Sequence, residues 1–360
     1  MVNGEEKAAS RQAEGANDQR SQLEALYAAM APQGLQPLWE SLHALVLPEP
    51  KSPARPWRWS YDDTRNYLMR AGDIISAEQA ERRVLIMENP GIAGQAAITP
   101  SLYAGLQLIL PGEVAPCHRH AQNALRFVME GSGAFTAVDG EKAIMEQFDL
   151  VLTPAGQWHD HGNQTDTPMI WLDGLDIPTV RLFDASYAER LGSAAHPETV
   201  RPGDTSARYG HNMRPMRGSS ADRRPGGRPL FHYRYAEWRE ALGAMAASAD
   251  IDPHLGHALE FLNPADGGPV LSTISAHVRL LPAGFESRAR QATDGTVFVV
   301  CEGEGELLLG DDVIALQPRD VVVVPSWIRH QFRASSELIL FGYSDKASQM
   351  KLELYREVNH

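Results

Sequence analysis

One stretch of this chain occurs twice. PGEVAPCHRHAQNALRFVMEGSGAFTAVDGE, starting at Pro111, aligns with PAGFESRARQATDGTVFVVCEGEGELLLGDD, starting at Pro282, and brings Gly131 onto Gly303. Further along, PAGQWH aligns with PSWIRH and brings His159 onto His330, at an offset of 171–172 residues throughout. A repeat of that length means two copies of one fold. The first copy contains short runs, LYAGLQLILP, NALRFVMEG, GAFTAVDG, DLVLTP and PMIWLDGL, set apart by Gly, Pro and Asp. That punctuation belongs to short antiparallel strands. Strands at this spacing predict a mainly β protein built from sandwiches or barrels of jelly-roll type.

The 360 residues leave room for two such domains and for flanking segments. Residues 1–20 are polar and small and are expected to be disordered. Over 21–95 a helical segment is expected, because Leu23, Leu26, Tyr27, Met30, Leu35, Leu38, Trp39, Leu42 and Leu45 recur at helical spacing. Further helix is expected in the 60s and over 76–87, with Trp57 and Trp59 as core packing. The first barrel is assigned to 96–180 and the second to 266–348. Between them lies a linker, 181–265, with a short helix near 234–247 and two loop-like stretches, RPGDTSARYG and GSSADRRPGGRP. A C-terminal tail covers 349–360.

Charge and composition narrow the partners. With 33 basic and 46 acidic residues the net charge is −13, which argues against nucleic acid and anionic membrane surfaces. Only Cys117 and Cys301 are present, so no disulfide framework is expected and a cytoplasmic setting follows. The opening MVNGEEKAASRQ has no apolar core of a signal peptide, and no run approaches a membrane span.

Within the first copy the spacing Gly112-x5-His118-x-His120, Gly131, Pro154-x-Gly156-x2-His159-x3-Asn163 is close to the two-part metal signature of the cupin barrel. Residues i and i+2 of a strand share a face, so His118 and His120 can offer two imidazoles to one ion, with His159 supplied by a neighbouring strand. The common signature adds a Glu shortly after the second His. Ala124 and Leu125 stand there instead. Three imidazoles suit Fe, Zn, Cu or Ni and leave coordination positions open. Without a carboxylate ligand a divalent ion keeps its full charge and favours anions that bind through two oxygens. By the same parity Cys117 points away from the ion, as a buried inert thiol.

If the His118–His120 strand continued regularly, Gln122, Ala124 and Arg126 would point inward too. Arg126 at the mouth of a metal barrel calls for an anion, either a substrate carboxylate held bidentately or a protein carboxylate such as Asp173. Tyr103, Gly105 and Gln107 share one face of the preceding strand. Gly105 would leave space for a flat ring against the backbone, and Gln107 could donate to a carboxylate or phenol. His161, in phase with His159, is a candidate acid–base group. Asp173 would orient a ligand His or pair with Arg126. In the second copy Arg290 and Ala292 replace His118 and His120. A lone His330 cannot hold a metal well, so the second barrel is expected to be structural, with an anion site at its arginines as the alternative.

AERRVLIMENPG, LYAGLQLILPGEVAPCHRHAQNALRFVMEGSGAFTAVDGE and the N-terminal LYAAMAPQGLQPLWESLHALVLPEP together resemble the gentisate 1,2-dioxygenases. The resemblance spans most of the chain, is closest over 21–180 and includes the degenerate second copy. It implies a bicupin with one Fe(II) per chain, O2 as co-substrate and a homotetrameric assembly. His118, His120 and His159 would be the iron ligands. Arg82, Tyr103, Gly105, Gln107, Arg126 and His161 would face the substrate, with Arg126, His161 and Asp173 serving the chemistry. The implied reaction opens gentisate between the carboxyl-bearing and adjacent hydroxyl-bearing carbons to give maleylpyruvate. Relatives open salicylate, substituted salicylates or 1-hydroxy-2-naphthoate, and some carry Trp where this chain has Tyr103. A sugar-directed cupin enzyme would usually keep the carboxylate ligand. A metal-free binding or storage bicupin would have no use for three aligned His.

Overall fold

The computed structural model describes residues 2–193, 195–210, 213–216 and 229–360. Of the GSSADRRPGGRP stretch, only Pro229 lies inside the described residues. Met1–Lys51 forms one compact unit and Ser52–His360 another. In the first, a helix runs over Val2–Met30, a 3-10 turn over Ala31–Gln33 and a second helix over Leu38–Leu45. Trp39 Nε1 donates to the Tyr27 hydroxyl at 2.8 Å, which donates to Glu40 at 2.7 Å, bracing the two helices. From Val2 on, the stretch expected to be disordered is helical. Ala, Glu, Gln, Arg and Lys are strong helix formers, and no proline precedes Pro32.

The larger unit holds both barrels. Its strands in the first half are β1 (Trp57–Trp59), β2 (Arg83–Ile86), β3 (Tyr103–Ile109), β4 (Val114–His120), β5 (Ala124–Glu130), β6 (Phe135–Val138), β7 (Glu141–Ile144), β8 (Leu150–Thr153), β9 (His159–Gly162), β10 (Met169–Leu175) and β11 (Ala188–Arg190). The second half contains β12 (His232–Tyr233), β13 (His257–Phe261), β14 (Ser275–Leu281), β15 (Arg290–Ala292), β16 (Thr296–Glu302), β17 (Gly305–Leu309), β18 (Asp312–Leu316), β19 (Val321–Val324), β20 (Gln331–Ala334), β21 (Leu338–Ser344) and β22 (Glu357–Asn359). The first barrel pairs a sheet ordered β12-β8-β5-β10-β3-β2 with one ordered β11-β4-β9-β6-β7. The second sets β1-β19-β16-β21-β14-β13 against β18-β17-β20 and the ribbon β15-β22.

The two halves exchange a strand. β1 pairs with β19 of the second barrel, and β12 pairs with β8 of the first. A helix follows each exchanged strand, Tyr61–Ile74 and Tyr235–Ser248. Buried carboxylates hold both junctions in the same way: Asp320 accepts from Tyr61 N and Arg58, and Asp149 accepts from Tyr235 N and His232. Further out, Glu130 takes the Tyr61 hydroxyl and Arg65, while Glu302 takes the Tyr235 hydroxyl and Arg239. The repeat therefore reaches back beyond the stretch visible in the sequence.

Both faces of the larger sheets are buried, one inside its barrel and one against the other barrel. This explains runs such as TVFVV and VVVV, which do not alternate. The outer faces meet where Phe127 stacks on Phe341, centroids 4.0 Å apart and planes 7° from parallel. Such a pair adds about 1 kcal/mol beyond its area burial. At the turns, Gly131 and Gly303 sit at φ +96° and +78°, and a Cβ at either would strike a backbone carbonyl.

Some local expectations are corrected. Helix over 76–87 shrinks to Ala77–Ala80, after which Arg83–Ile86 becomes β2 on the edge of β3. Arg-Val-Leu-Ile offers apolar β-branched residues to a sheet edge. Trp59 packs against the core, but Trp57 is 47% exposed. Among the described residues no helix is long and apolar enough to cross a membrane.

Candidate metal centre

His118 and His120 project from β4, and His159 opens β9, which pairs beside β4 with His118 opposite His159. The pleat places all three imidazoles on the inner face, and their ligand atoms lie within 4.8 Å of one another. Each ring is held by a carbonyl two residues away in the chain. His118 Nδ1 faces Pro116 O at 3.1 Å, His120 Nδ1 faces Gln122 O at 2.9 Å, and His159 Nδ1 faces Gln157 O at 3.0 Å. A carbonyl only accepts, so each Nδ1 carries the proton and each Nε2 presents its lone pair inward. Burial pushes the His118 and His120 pKa values down to about 3 and about 4, and that of His159 well below its usual value. All three are therefore neutral ligands at neutral pH. His159 is fully buried, yet its Nε2 has no partner, an orphaned acceptor that a divalent ion would satisfy. The donor set fits such an ion, with no carboxylate among the three.

Arg82 reaches the same ring cluster. Its Nη2 lies 2.7 Å and 2.6 Å from the two ring nitrogens of His118. One atom that near both nitrogens sits over the ring face, not in the plane of a lone pair, so this is a stacked contact and no true hydrogen bond. Burial lowers the Arg82 pKa, with Asp173 opposing the fall.

Beyond the imidazoles the inner wall is polar. Gly105, Asp173 and Arg126 form one row across β3, β10 and β5, and Gln107, Trp171 and Val128 form the next. Arg126 Nη1 donates to Thr153 Oγ1 at 2.6 Å, and its Nε lies 3.4 Å from Asp173 Oδ1. That contact has the distance of an ion pair without the angle of a hydrogen bond, so Nε remains an unused buried donor. Burial lowers the Arg126 pKa to about 10 and raises that of Asp173 to about 6, despite the Arg126 charge beside it. His161 is 1% exposed, and Thr136 Oγ1 holds its Nδ1 at 2.7 Å. The same hydroxyl also reaches the Asp160 carbonyl at 3.3 Å, so it donates there and accepts from Nδ1. His161 Nε2 is then a bare, unpartnered acceptor aimed into the site.

Three expectations change. The strand does not continue through Gln122, which sits in the turn between β4 and β5 and bonds Ser186 Oγ at 3.1 Å. Of its two expected roles Asp173 takes the pairing with Arg126 and not the orienting of a ligand His, and it also accepts from Trp171 Nε1 at 3.1 Å. The space over Gly105 is filled by the chain itself, since a Cβ there would lie 2.6 Å from both the Tyr103 hydroxyl and Val84 Cγ1. Gly105 makes room for Tyr103, whose ring folds back along its own strand. Cys117 is buried on the opposite face, and burial lifts its thiol to about 11.

Two contributors were not foreseen. Thr153 positions Arg126. Asn123 ties the turn together: its backbone N–H and Nδ2 donate to Asp176, and Nδ2 also reaches Ser272 and Thr273 of the second half. Its Oδ1 accepts from Ala155 N, in the loop that leads to His159. Nothing in the residue pattern marks either, because their partners are remote in sequence.

Known proteins resemble this arrangement. The cupin domain family matches residues 105–175 and 276–341. The chain is 48% identical over 335 residues to gentisate 1,2 dioxygenase 1 of Aquipseudomonas alcaligenes, covering 92% of this chain and 94% of the relative. It is 37% identical to a 5-aminosalicylate 1,2-dioxygenase of Comamonas sp, covering 94% of this chain and 90% of the relative. The structure of salicylate 1,2-dioxygenase from Pseudoaminobacter salicylatoxidans with gentisate superposes with a TM-score of 0.86 at 34% identity, covering 94% of each chain.

Proposed function

The chain belongs to the gentisate 1,2-dioxygenase family of bicupin ring-cleaving dioxygenases, and from that premise we propose that it opens gentisate with O2 between the carboxyl-bearing and adjacent hydroxyl-bearing carbons. The product is the ring-opened oxo-diacid maleylpyruvate, which retains both oxygen atoms of O2, so no external reductant is needed. The observation that carries this reading is a three-imidazole cluster without a carboxylate ligand, set beside a buried arginine with an unused donor. Similarity to a gentisate enzyme at 48% identity favours gentisate over the salicylates.

His118, His120 and His159 would hold Fe(II), one per chain. When bound, it supplies charge and open positions for two substrate oxygens and for O2. The protein's own groups do the rest. Arg126 offers its free Nε–H to the substrate carboxylate, and Asp173 and Thr153 keep the guanidinium in place. Gln107, 3% exposed on the next row, donates to an anionic oxygen of the ring. His161 Nε2 accepts the proton that the substrate hydroxyl gives up on binding. Arg82 closes over His118 and adds positive potential where the dianion sits. Tyr103, with its hydroxyl over Gly105, shapes the far wall. Each interaction fixes the ring's orientation, which the cleavage site requires.

The setting we propose is cytoplasmic, in keeping with free Cys117 and Cys301, and the assembly a homotetramer, to be read by light scattering. The reaction itself is tested with 18O2 and gentisate. One labelled atom in the new carboxylate, with a second at the ketone when the product is reduced before that oxygen exchanges with water, supports it. A product with no label in the new carboxylate would contradict it.

A further inference from the structure

The second barrel keeps the first barrel's strand geometry and loses the carboxylate of its inner wall. The Arg290–His330 bridge repeats the His118–His159 pairing. The row Gly105–Asp173–Arg126 is matched by His277–Gly342–Phe298, and the row Gln107–Trp171–Val128 by Arg279–Leu340–Val300. Arg279 therefore stands where Gln107 stands, and the position of the only carboxylate in these rows, Asp173, is held by Gly342. Ala292 takes the position of His120, so no imidazole projects from this strand beside Arg290.

Arg279 is 4% exposed. Among the described residues no acid or carbonyl reaches its guanidinium directly; it lies over the face of Phe298, whose ring centroid is 5.1 Å from the guanidinium carbon, with Arg290, Asp294 and Asp252 acting on its charge. Arg290 is half-satisfied by Glu357 at 3.2 Å, near the mouth. His330, 6% exposed, donates Nδ1–H to Ile328 O at 3.0 Å, and its buried Nε2 has no partner. His277 also has a buried unpartnered Nε2. A buried guanidinium with no acceptor in direct contact is costly. Its planar fork matches a carboxylate, and Asp294 and Asp252 offset its charge only from a distance. The bare imidazole nitrogens add a second requirement: His330 Nε2 accepts, because its Nδ1 donates to Ile328 O, and so suits a ligand that also carries an O–H.

We propose that the second barrel is a binding site for a small hydroxycarboxylate, with the carboxylate on Arg279 and the hydroxyl hydrogen on the bare Nε2 of His330. The site holds no metal ligand set and is separate from the three-histidine centre. It makes the second barrel more than a structural remnant. Arg279 stays charged at neutral pH, since burial lowers its pKa only to about 9.

The test is equilibrium dialysis of labelled lactate against the iron-loaded full chain, for wild type, Arg279→Gln and Arg279→Lys. Arg279→Gln should bind one fewer lactate per chain than wild type. Arg279→Lys keeps the charge and loses the fork, so lactate should bind there more weakly on the order of tenfold; it decides the matter should the Gln variant fail to fold. Acetate should compete less well than lactate. Equal stoichiometry in wild type and both variants would overturn the proposal. So would displacement of the bound lactate by chloride at equal concentration, which would mean an unselective anion hole.

Discussion

Arg126 and Asp173 face each other across β5 and β10, Nε to Oδ1 at 3.4 Å, in a wall where both are almost wholly buried. The pair is poised and incomplete. The carboxylate is close enough to offset the guanidinium's charge, yet the misaligned Nε–H is left for another acceptor. A substrate carboxylate arriving there would find a donor that needs no new desolvation.

Replacing Arg126 should therefore weaken carboxylate recognition first. Arg126→Met should raise KM for gentisate by roughly 10- to 100-fold, the value of a charge-assisted hydrogen bond, with a smaller effect on kcat. Steady-state kinetics check it; an unchanged KM would remove Arg126 from the substrate site.

Asp173 gives the pair a pH signature. Its folded pKa, raised to about 6 by burial, lies above the ordinary carboxylate value, so the native state holds the proton more tightly than the unfolded chain. The stabilisation is full below about pH 4 and is lost as pH rises through about 6. Compared with Asp173→Asn, wild type should lose on the order of 2 to 3 kcal/mol between those limits. Denaturant unfolding of both proteins across this range checks the difference. Parallel curves would contradict it.

Metal retention should fail with the loss of one imidazole. His120→Ala leaves two ligands and should abolish bound iron and oxygen uptake together, as read by elemental analysis of the purified protein. Iron retained at one per chain would sink the ligand assignment.

Asn123 reaches the metal site through its neighbours. Asn123→Ala removes bonds to Asp176, Ala155, Ser272 and Thr273 at one buried point. Unmet partners cost roughly 1–3 kcal/mol each, so a loss of about 2–4 kcal/mol in stability is expected. Iron affinity should fall as well, because the turn carries His120 on one side and abuts the His159 loop on the other. Calorimetry with iron titration checks both effects.

Much of this molecule is legible in its residues. The repeat, the strand-rich halves and the histidine triad all rest on short-range spacing, and spacing follows directly from the pleat. Strand parity and the resemblance both pointed Gln107, Arg126 and His161 inward, and the structure sets Gln107 and Arg126 in one sheet of the barrel and His161 in the other. What the residues did not disclose depends on long-range pairing. β2 reads as helix until β3 is beside it. The exchanged strands β1 and β12 have partners in the other half of the chain. Gly105 looks like space for a ligand, and only the folded-back Tyr103 reveals that the chain fills that space itself. Gln122 fell out of phase because a turn interrupts the strand that parity had extended.

The most direct test is oxygen uptake by the anaerobically Fe(II)-loaded protein with gentisate, salicylate and 1-hydroxy-2-naphthoate side by side. Uptake fastest with gentisate, at one O2 per ring opened, is the expected result. Faster uptake with a ring that lacks the second hydroxyl, or none with any of the three while iron stays bound, would contradict it.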